Sequence, residues 1–340
     1  MLVPDRHLSM DEMSKAIDGI MRGEWPEDEI AAFLLALRSR GETVEEIAGA
    51  AVAMRRHMTA IHSRRQGIVD TCGTGGSSST LFNVSTAAAL VTAAAGVPVA
   101  KHGNRRVTSK SGSADVLTEL GVNVSASGEC VLSCLDDLGV CFCFAPLCHG
   151  AMKYVSPVRQ RLGVPTIFNL LGPLTNPAGA EYQLLGVGRD DLRPRLAAAL
   201  ARLGVRRALV VHGSDGLGEI TLTSETRVTE VRDGELRESI FSPEDFGLAR
   251  ASLDAVRVDG PAASAAIIRQ VLRGQTGPAR DIVLLNAAAA LWLAGKANTL
   301  PGGSQLAAEA VDSGAALQLL MRLVERTNRV QGSGFRVQGS

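Results

Sequence analysis

Ile68-Val69-Asp70-Thr71-Cys72-Gly73-Thr74-Gly75-Gly76 is the stretch on which the fold turns. A short apolar strand at Ile68 and Val69 runs into Asp70 and the glycine-rich GTGGSSS at 73–79. A helix-compatible stretch follows at about 84–95 and is ended by Gly96. Val97–Ala100 then reads as a second buried strand, leading into Lys101-His102-Gly103-Asn104-Arg105. The alternation continues downstream. The pattern predicts a helix at about 113–120, strands at 141–144, 183–187, 207–212 and 219–223, and a helix at about 191–203. Alternating strands and helices of this kind build a largely parallel sheet covered on both faces. The alanine-rich region from about 262 to 327 predicts several packed helices.

Upstream of this unit the first sixty residues read as three helices. Ser9-x-x-Glu12 and Thr43-x-x-Glu46 are capping-box patterns, Pro26 suits a first helical turn, and Gly41 follows Arg38 and Arg40 as a stop. Val44, Ile47, Ala51 and Met54 recur at helical spacing. The division expected is therefore a helical unit over 1–65, an α/β unit over 66–328, and a tail over 329–340 that repeats RVQGS and is expected to be disordered.

Composition narrows the function. With 35 Lys+Arg against 35 Asp+Glu, the chain lacks the basic excess of a nucleic-acid or membrane-surface binder, and 4% aromatic residues leave little for a base-stacking platform. The longest apolar stretch, Ile282–Ala294, is interrupted by Asn286 and is shorter than the ~20 residues that span a bilayer. No signal-peptide pattern opens the chain, six cysteines form no CxxC, and a reducing cytoplasm is expected. Cys141 and Cys143 alternate within an apolar run, so they are expected on one face of a buried strand rather than around a metal.

Several segments carry potential chemistry. GTGG after a strand and before a helix suits phosphate, because glycines let backbone N–H groups approach an anion. It serves equally as a plain tight turn, and it is neither a P-loop nor a GxGxxG. Asn83, Ser85 and Thr86 open the next helix, where one of them would act as an N-cap. KHGNR sits where open α/β sheets place ligands, although a solvated basic turn reads the same way. VTSKSGSAD at 107–115 adds small hydroxyls. His149, Lys153 and Arg159 lie in a segment that Pro157 divides into two helical turns, and a guanidinium there could clamp a carboxylate. Glu219, after the loop SDGLG at 214–218, could hold Mg²⁺ or simply face solvent. No GxSxG elbow and no Ser/His/Asp set is recognisable.

Taken in order, GTGG…NVST, AKHGNR, SGSADVL, HGAMK…PVRQRLG, TIFNLLGPLTNPA at 166–178 and HGSDGLGEIT at 212–221 closely resemble the anthranilate phosphoribosyltransferases of tryptophan biosynthesis. The resemblance covers nearly the whole chain. It implies a small helical domain, with a later helical excursion near 160–180, joined to a larger α/β domain of the nucleoside phosphorylase/phosphoribosyltransferase type. It further implies a cleft at the hinge, a homodimer contacting through the helical domains, and Mg²⁺ as cofactor, two ions per monomer. The implied reaction joins anthranilate to 5-phosphoribosyl 1-diphosphate with release of diphosphate. By position, Gly73, Gly76, Ser77, Asn83, Val84, Ser85 and Thr86 would hold the phosphoribosyl diphosphate together with Lys101, His102, Gly103, Asn104, Arg105, Ser109 and Ser113. Gly73, Asn104, His149 and Arg159 would hold anthranilate, and Ser85 and Glu219 the metal. Lys101 and Arg159 would act electrostatically, with no distinct acid or base.

Two departures stand out. The family usually has Asp-Glu where this chain has Gly218-Glu219, and GTGGD where Ser77 stands here. The second metal site is therefore in doubt, with Asp215 as the substitute carboxylate in reach along the chain. Competing expectations are a pyrimidine nucleoside phosphorylase and a non-catalytic relative that binds nucleic acid.

Overall fold

The computed structural model describes residues 6–75, 81–105 and 111–329; Gly76, Ser77, Ser109 and the repeat-bearing tail from 330 lie outside the described residues. Three helices open the chain: α1 (Met10–Met21), α2 (Glu27–Arg40) and α3 (Val44–His57). Both capping boxes form, Ser9 with Glu12 and Thr43 with Glu46. Glu46 does more than cap. It is fully buried, and its carboxylate also accepts the Leu8 N–H at 3.0 Å and an Arg40 N–H at 2.9 Å, which offsets the cost of burying the charge.

The sheet has seven strands in the order β3-β2-β1-β4-β5-β6-β7. They are β1 (Val69–Gly73), β2 (Val99–Gly103), β3 (Val140–Phe144), β4 (Tyr182–Gly186), β5 (Arg207–Gly213), β6 (Thr226–Arg232) and β7 (Glu235–Phe241). The first five in the order are mutually parallel, β6 pairs antiparallel to β5, and β7 pairs antiparallel to β6. β1 and β2 run further than the apolar pattern suggests, so Asp70, Lys101, His102 and Gly103 are strand residues rather than loop residues. Helices α4 (Val84–Ala94), α5 (Ser113–Glu119), α6 (Gly128–Ser133), α7 (Ala145–Cys148), α8 (Ser156–Leu162), α9 (Phe168–Leu171), α10 (Arg193–Arg202), α11 (Pro261–Leu272), α12 (Pro278–Leu293), α13 (Leu300–Asp312) and α14 (Ala315–Asn328) complete the framework.

The strand expected at 219–223 does not form. Side chains take up much of its backbone instead: Asn286 of α12 accepts the Ile220 N–H at 3.1 Å and donates to the Ile220 carbonyl at 2.9 Å, while the Thr221 N–H reaches Thr226 Oγ1 at 3.0 Å. The strands that follow were not expected. β7 is exposed along almost its whole length and shows no apolar alternation, as suits an edge strand with one neighbour. The legible signal was Asp233-Gly234, whose φ values of 50° and 85° make the two-residue hairpin turn between Arg232 and Glu235.

Alternation along the strands feeds two apolar layers. Leu184, Leu209, Val211 and Val228 pack against α4, α5 and α11–α14, whereas Leu185, Val210 and Val231 pack on the other face. That second layer joins Met13, Ile17, Leu34 and Ile47 of the opening helices to Val158, Phe168 and Leu171 of the 155–174 segment and to Leu196 of α10. The later segment is thereby held beside the N-terminal helices, opposite the strand ends.

Candidate active site

Four neighbouring strands end in glycine, and three of those glycines line one cleft: β1 at Gly73, β2 at Gly103 and β4 at Gly186, with Gly73 and Gly186 in register, whereas Gly213 of β5 stands outside it. A side chain at any of the three would crowd a neighbour, mildly at Gly73 and severely against fixed backbone at Gly186. A Cβ would lie 3.1 Å from the Gly186 carbonyl oxygen at position 73, 2.1 Å from Ser113 Oγ at 103, and 1.7 Å from the Gly218 carbonyl oxygen at 186. These carboxyl ends form the floor of a cleft of about 380 Å³, the place where parallel sheets bind ligands. Gly75 adds a left-handed turn (φ 69°) above the floor, and the Thr74 N–H ties this loop to the Gly186 carbonyl at 3.0 Å.

One wall carries charge. Lys101, 4% exposed, donates to the Thr71 carbonyl and, at 3.2 Å, to Ser85 Oγ. Burial pulls its pKa down, against the attraction of Asp70 and Glu219. Asp70 lies beneath it, its carboxyl raised to about 6 by burial although Asn176 Nδ2 donates to Oδ2 at 2.8 Å and the His102 N–H to Oδ1 at 3.2 Å. Glu219 faces the cleft from the irregular 214–225 segment. Burial raises it to about 7, opposed by Lys101 and by hydrogen bonds from Ser85. Among the described residues no three acidic, His or Cys groups cluster as a metal cage. Ser85 and Glu219 are oxygen donors beside Lys101, suited to a hard cation that takes its remaining ligands from water and phosphate.

The opposite wall comes from the helical flank: Arg159 of α8, with Phe168, Asn169, Gly172 and Pro173. Arg159 has no carboxylate partner among the described residues. Its Nη2 reaches Asn169 Oδ1 at 3.4 Å and its guanidinium lies 5.9 Å from the Phe168 ring centre. Burial lowers its pKa, as expected of a cation short of a counter-charge.

The cleft thus brings together Gly73, Asn83, Val84, Ser85, Lys101, His102, Gly103, Asn104, Arg105, Ser113, Arg159 and Glu219, along with Gly218. Two expected residues stand off it. Thr86, the next residue along α4 from Ser85, turns into the core, where its hydroxyl has no partner among the described residues. His149 sits behind His102, the two Nε2 atoms 3.2 Å apart, while His102 Nδ1 meets the Gly172 carbonyl at 2.9 Å. Burial holds His102 at about 3 and His149 at about 4, so both are neutral rings. Asn83 makes no N-cap; its Oδ1 accepts from Ser111 and Ser264 and ties the 111–113 turn to α11. Asp215 does not reach Glu219's side. Its carboxylate accepts from Thr221 and Thr223 at 2.5 and 2.6 Å and lines a separate hollow. Cys141 and Cys143 share a strand face as expected, their sulfurs 3.8 Å apart.

Residues not singled out in advance include Thr74, Ser111, Gly112, Ala145, Phe168, Asn169, Gly172, Pro173, Gly186 and Gly188. Asn286 holds the Ile220 backbone next to Glu219, and a lone amide inside the apolar Ile282–Ala294 run was its visible signal.

Comparison with known proteins identifies the fold and the family. Residues 65–317 match the model of the glycosyl transferase family a/b domain, and residues 1–58 that of its helical bundle domain. Anthranilate phosphoribosyltransferase of Geotalea uraniireducens is 49% identical over 341 residues, covering 96% of this chain and 97% of its own. The crystal structure of the Thermus thermophilus enzyme superposes with a TM-score of 0.90 at 45% identity, covering 95% and 97% of the two chains. The Saccharomyces cerevisiae enzyme in complex with PRPP and Mg gives 0.86 at 30% identity over 94% and 93%, and its complex with 4-fluoroanthranilate gives 0.83 at 29%. Fold, strand ends and relatives agree: this chain belongs to the anthranilate phosphoribosyltransferase family.

Proposed function

We propose that the protein transfers the phosphoribosyl group of 5-phosphoribosyl 1-diphosphate to the amine of anthranilate, a step of tryptophan biosynthesis. The observation that carries this is one cleft with a glycine floor, Lys101 on one wall and, on the other, a half-buried Arg159 without a carboxylate partner among the described residues. The floor and the adjoining Ser85, Asn83 and Ser113 suit a sugar diphosphate, and Arg159 with Asn104 suits the aromatic carboxylate. The relatives bind ligands of these two kinds. The amine nitrogen attacks C1 of the ribose, the C1–O bond breaks, its electron pair leaves with diphosphate, and the nitrogen sheds its proton. Anthranilate's amine is neutral at pH 7, so no strong base is needed. The two neutral histidines fit that absence, shaping the wall beside the acceptor while only His102 faces the cleft. Lys101 would offset negative charge that grows on the leaving group.

Mg²⁺ fits Ser85 and Glu219 because a hydroxyl and a carboxylate line the same cleft as hard oxygen donors, and the half-buried carboxyl, raised to about 7, would gain from a cation. Bound there, it would supply charge neutralisation for the diphosphate. One carboxylate accounts for one ion; with Gly218 in place of an acid, a second ion would depend on the substrate's own oxygens. Gly76, Ser77 and Ser109 belong to the same phosphate reading by their place in the sequence.

The same reading divides the chain into a helical unit over 1–65, with the 160–180 excursion packed on it, and an α/β unit over 66–328. It also takes the protein to be a cytoplasmic homodimer joined through the helical unit. Leu35, Tyr154 and Val164 remain exposed on that unit, and the six free cysteines suit a reducing compartment. Light scattering on a sizing column would test the dimer. Nothing favours the nucleoside phosphorylase or nucleic-acid-binding readings. Mixing the protein with anthranilate, phosphoribosyl diphosphate and Mg²⁺ should yield fluorescent phosphoribosylanthranilate. Phosphorolysis of a pyrimidine nucleoside without that product would reverse the conclusion.

A further inference from the structure

Asn169 stands near the start of α9 and lines the cleft beside Arg159. Its Oδ1 accepts the Thr166 backbone N–H at 2.9 Å and the Arg159 Nη2 hydrogen at 3.4 Å. A backbone N–H can only donate, so the amide's orientation is fixed: oxygen toward Thr166 and Arg159, nitrogen left over. Nδ2 has no protein partner among the described residues. Nor does it belong to the buried polar atoms that lack one, so it keeps access to solvent on a residue that lines the cleft. Arg159 is steered at the same time by the Phe168 ring at 5.9 Å.

The choice of a neutral amide matters. An aspartate here would hold Arg159 more strongly, but it would cancel the guanidinium's charge and repel an incoming carboxylate. Asparagine aims the guanidinium without neutralising it, and presents one further neutral donor on the same side. We infer that Asn169 is a positioning and specificity residue for the acceptor. Its Oδ1 orients Arg159, and its Nδ2 donates to the carboxylate that Arg159 binds, so the enzyme selects an aromatic acid over its uncharged analogue. This rests on the anthranilate reading of the cleft.

The test is acceptor selectivity, anthranilate against 2-aminobenzamide, in the wild type, Asn169→Asp and Arg159→Gln. Selectivity is read as kcat/KM or, for a slow acceptor, as an inhibition constant. Asn169→Asp is isosteric and keeps the cap on Thr166. Loss of one charge-assisted contact predicts about a ten- to hundredfold fall in kcat/KM for anthranilate, carried by KM. The KM for phosphoribosyl diphosphate should stay unchanged, and selectivity should shift toward the amide. Asn169→Ser, whose shorter hydroxyl gives up both Nδ2 and the reach of Oδ1 to Arg159, should move selectivity the same way and serves if the aspartate variant does not fold. Unchanged selectivity in the Asn169 variants, with collapse in Arg159→Gln, would overturn this inference alone. Unchanged selectivity in Arg159→Gln as well would overturn the placement of the carboxylate and the inference with it.

Discussion

Gly186→Ala puts the glycine floor to a quantitative test. The added methyl would lie 1.7 Å from the Gly218 carbonyl oxygen, and ordinary contact begins near 3.4 Å, so the 218–219 segment must retreat by about as much again. That segment cannot tilt freely, because Asn286 grips the next residue, Ile220, at both its N–H and its carbonyl. The strain is therefore shared between Glu219 and the β4 end. Overpacking of this kind costs about 1–3 kcal/mol of stability. A displacement of about 1 Å at a reacting centre can cost about a hundredfold in rate. We expect a folded but destabilised enzyme, with kcat/KM down about a hundredfold and a higher magnesium concentration needed for half-maximal rate. Gly128→Ala is the control, since its Cβ would meet nothing within 4 Å at the start of α6. It should leave activity unchanged and stability equal or raised by up to about 1 kcal/mol. Steady-state fluorescence kinetics across a magnesium titration, with urea melts on both variants, would measure this. A folded Gly186→Ala enzyme with wild-type kinetics would refute the account of the floor and of Glu219's placement.

Three more outcomes follow from other contacts. Gly218→Asp would set a second carboxylate beside Glu219. Its Cβ would lie 3.3 Å from the Val187 carbonyl carbon, so the backbone there must give slightly. The magnesium midpoint of activity should fall several-fold, and an unmoved titration would contradict the site. Asn176→Ala leaves Asp70 Oδ2 and the Ala100 carbonyl without their 2.8 Å donor, both buried, and should cost about 2–4 kcal/mol in urea denaturation. Finally, His102 and His149 protonate only near 3 and 4 in the fold, but near 6.5 when unfolded. The unfolded chain therefore binds more protons between these values, and stability falls as pH drops through 6.5. Each ring should cost about 2 kcal/mol at pH 5 relative to pH 7.5. His149→Asn should remove about that much of the loss; an identical acid slope would exclude neutral rings.

Much of this site was legible because its parts sit where strands meet turns. The GTGG and KHGNR segments carry glycine and charge where the apolar run stops, and Arg159 lies in a segment that Pro157 marks. What escaped was set by tertiary partners. Glu219 looked like a strand residue because its neighbours are apolar. No local pattern shows that an asparagine some sixty-six positions later would take over the hydrogen bonds of Ile220. Asn169 lay within a quoted motif, yet its importance comes from facing Arg159 across a turn. His149 lies one layer behind the cleft lining, and adjacency in sequence does not reveal that His102 stands beside it on the cleft side. β7 gave no alternating apolar signal, its Leu236 and Ile240 standing exposed with Glu238 between them.

Because the bottom of the cleft is bare main chain at three strand termini, it offers selection almost nothing to vary. A lineage acquiring a new phosphorylated sugar would have to rebuild the rims, while the base stayed as it is. The same holds for chemical attack: an inhibitor that reads this backbone would press on a surface where escape by substitution costs a neighbour's displacement, most of all at Gly186.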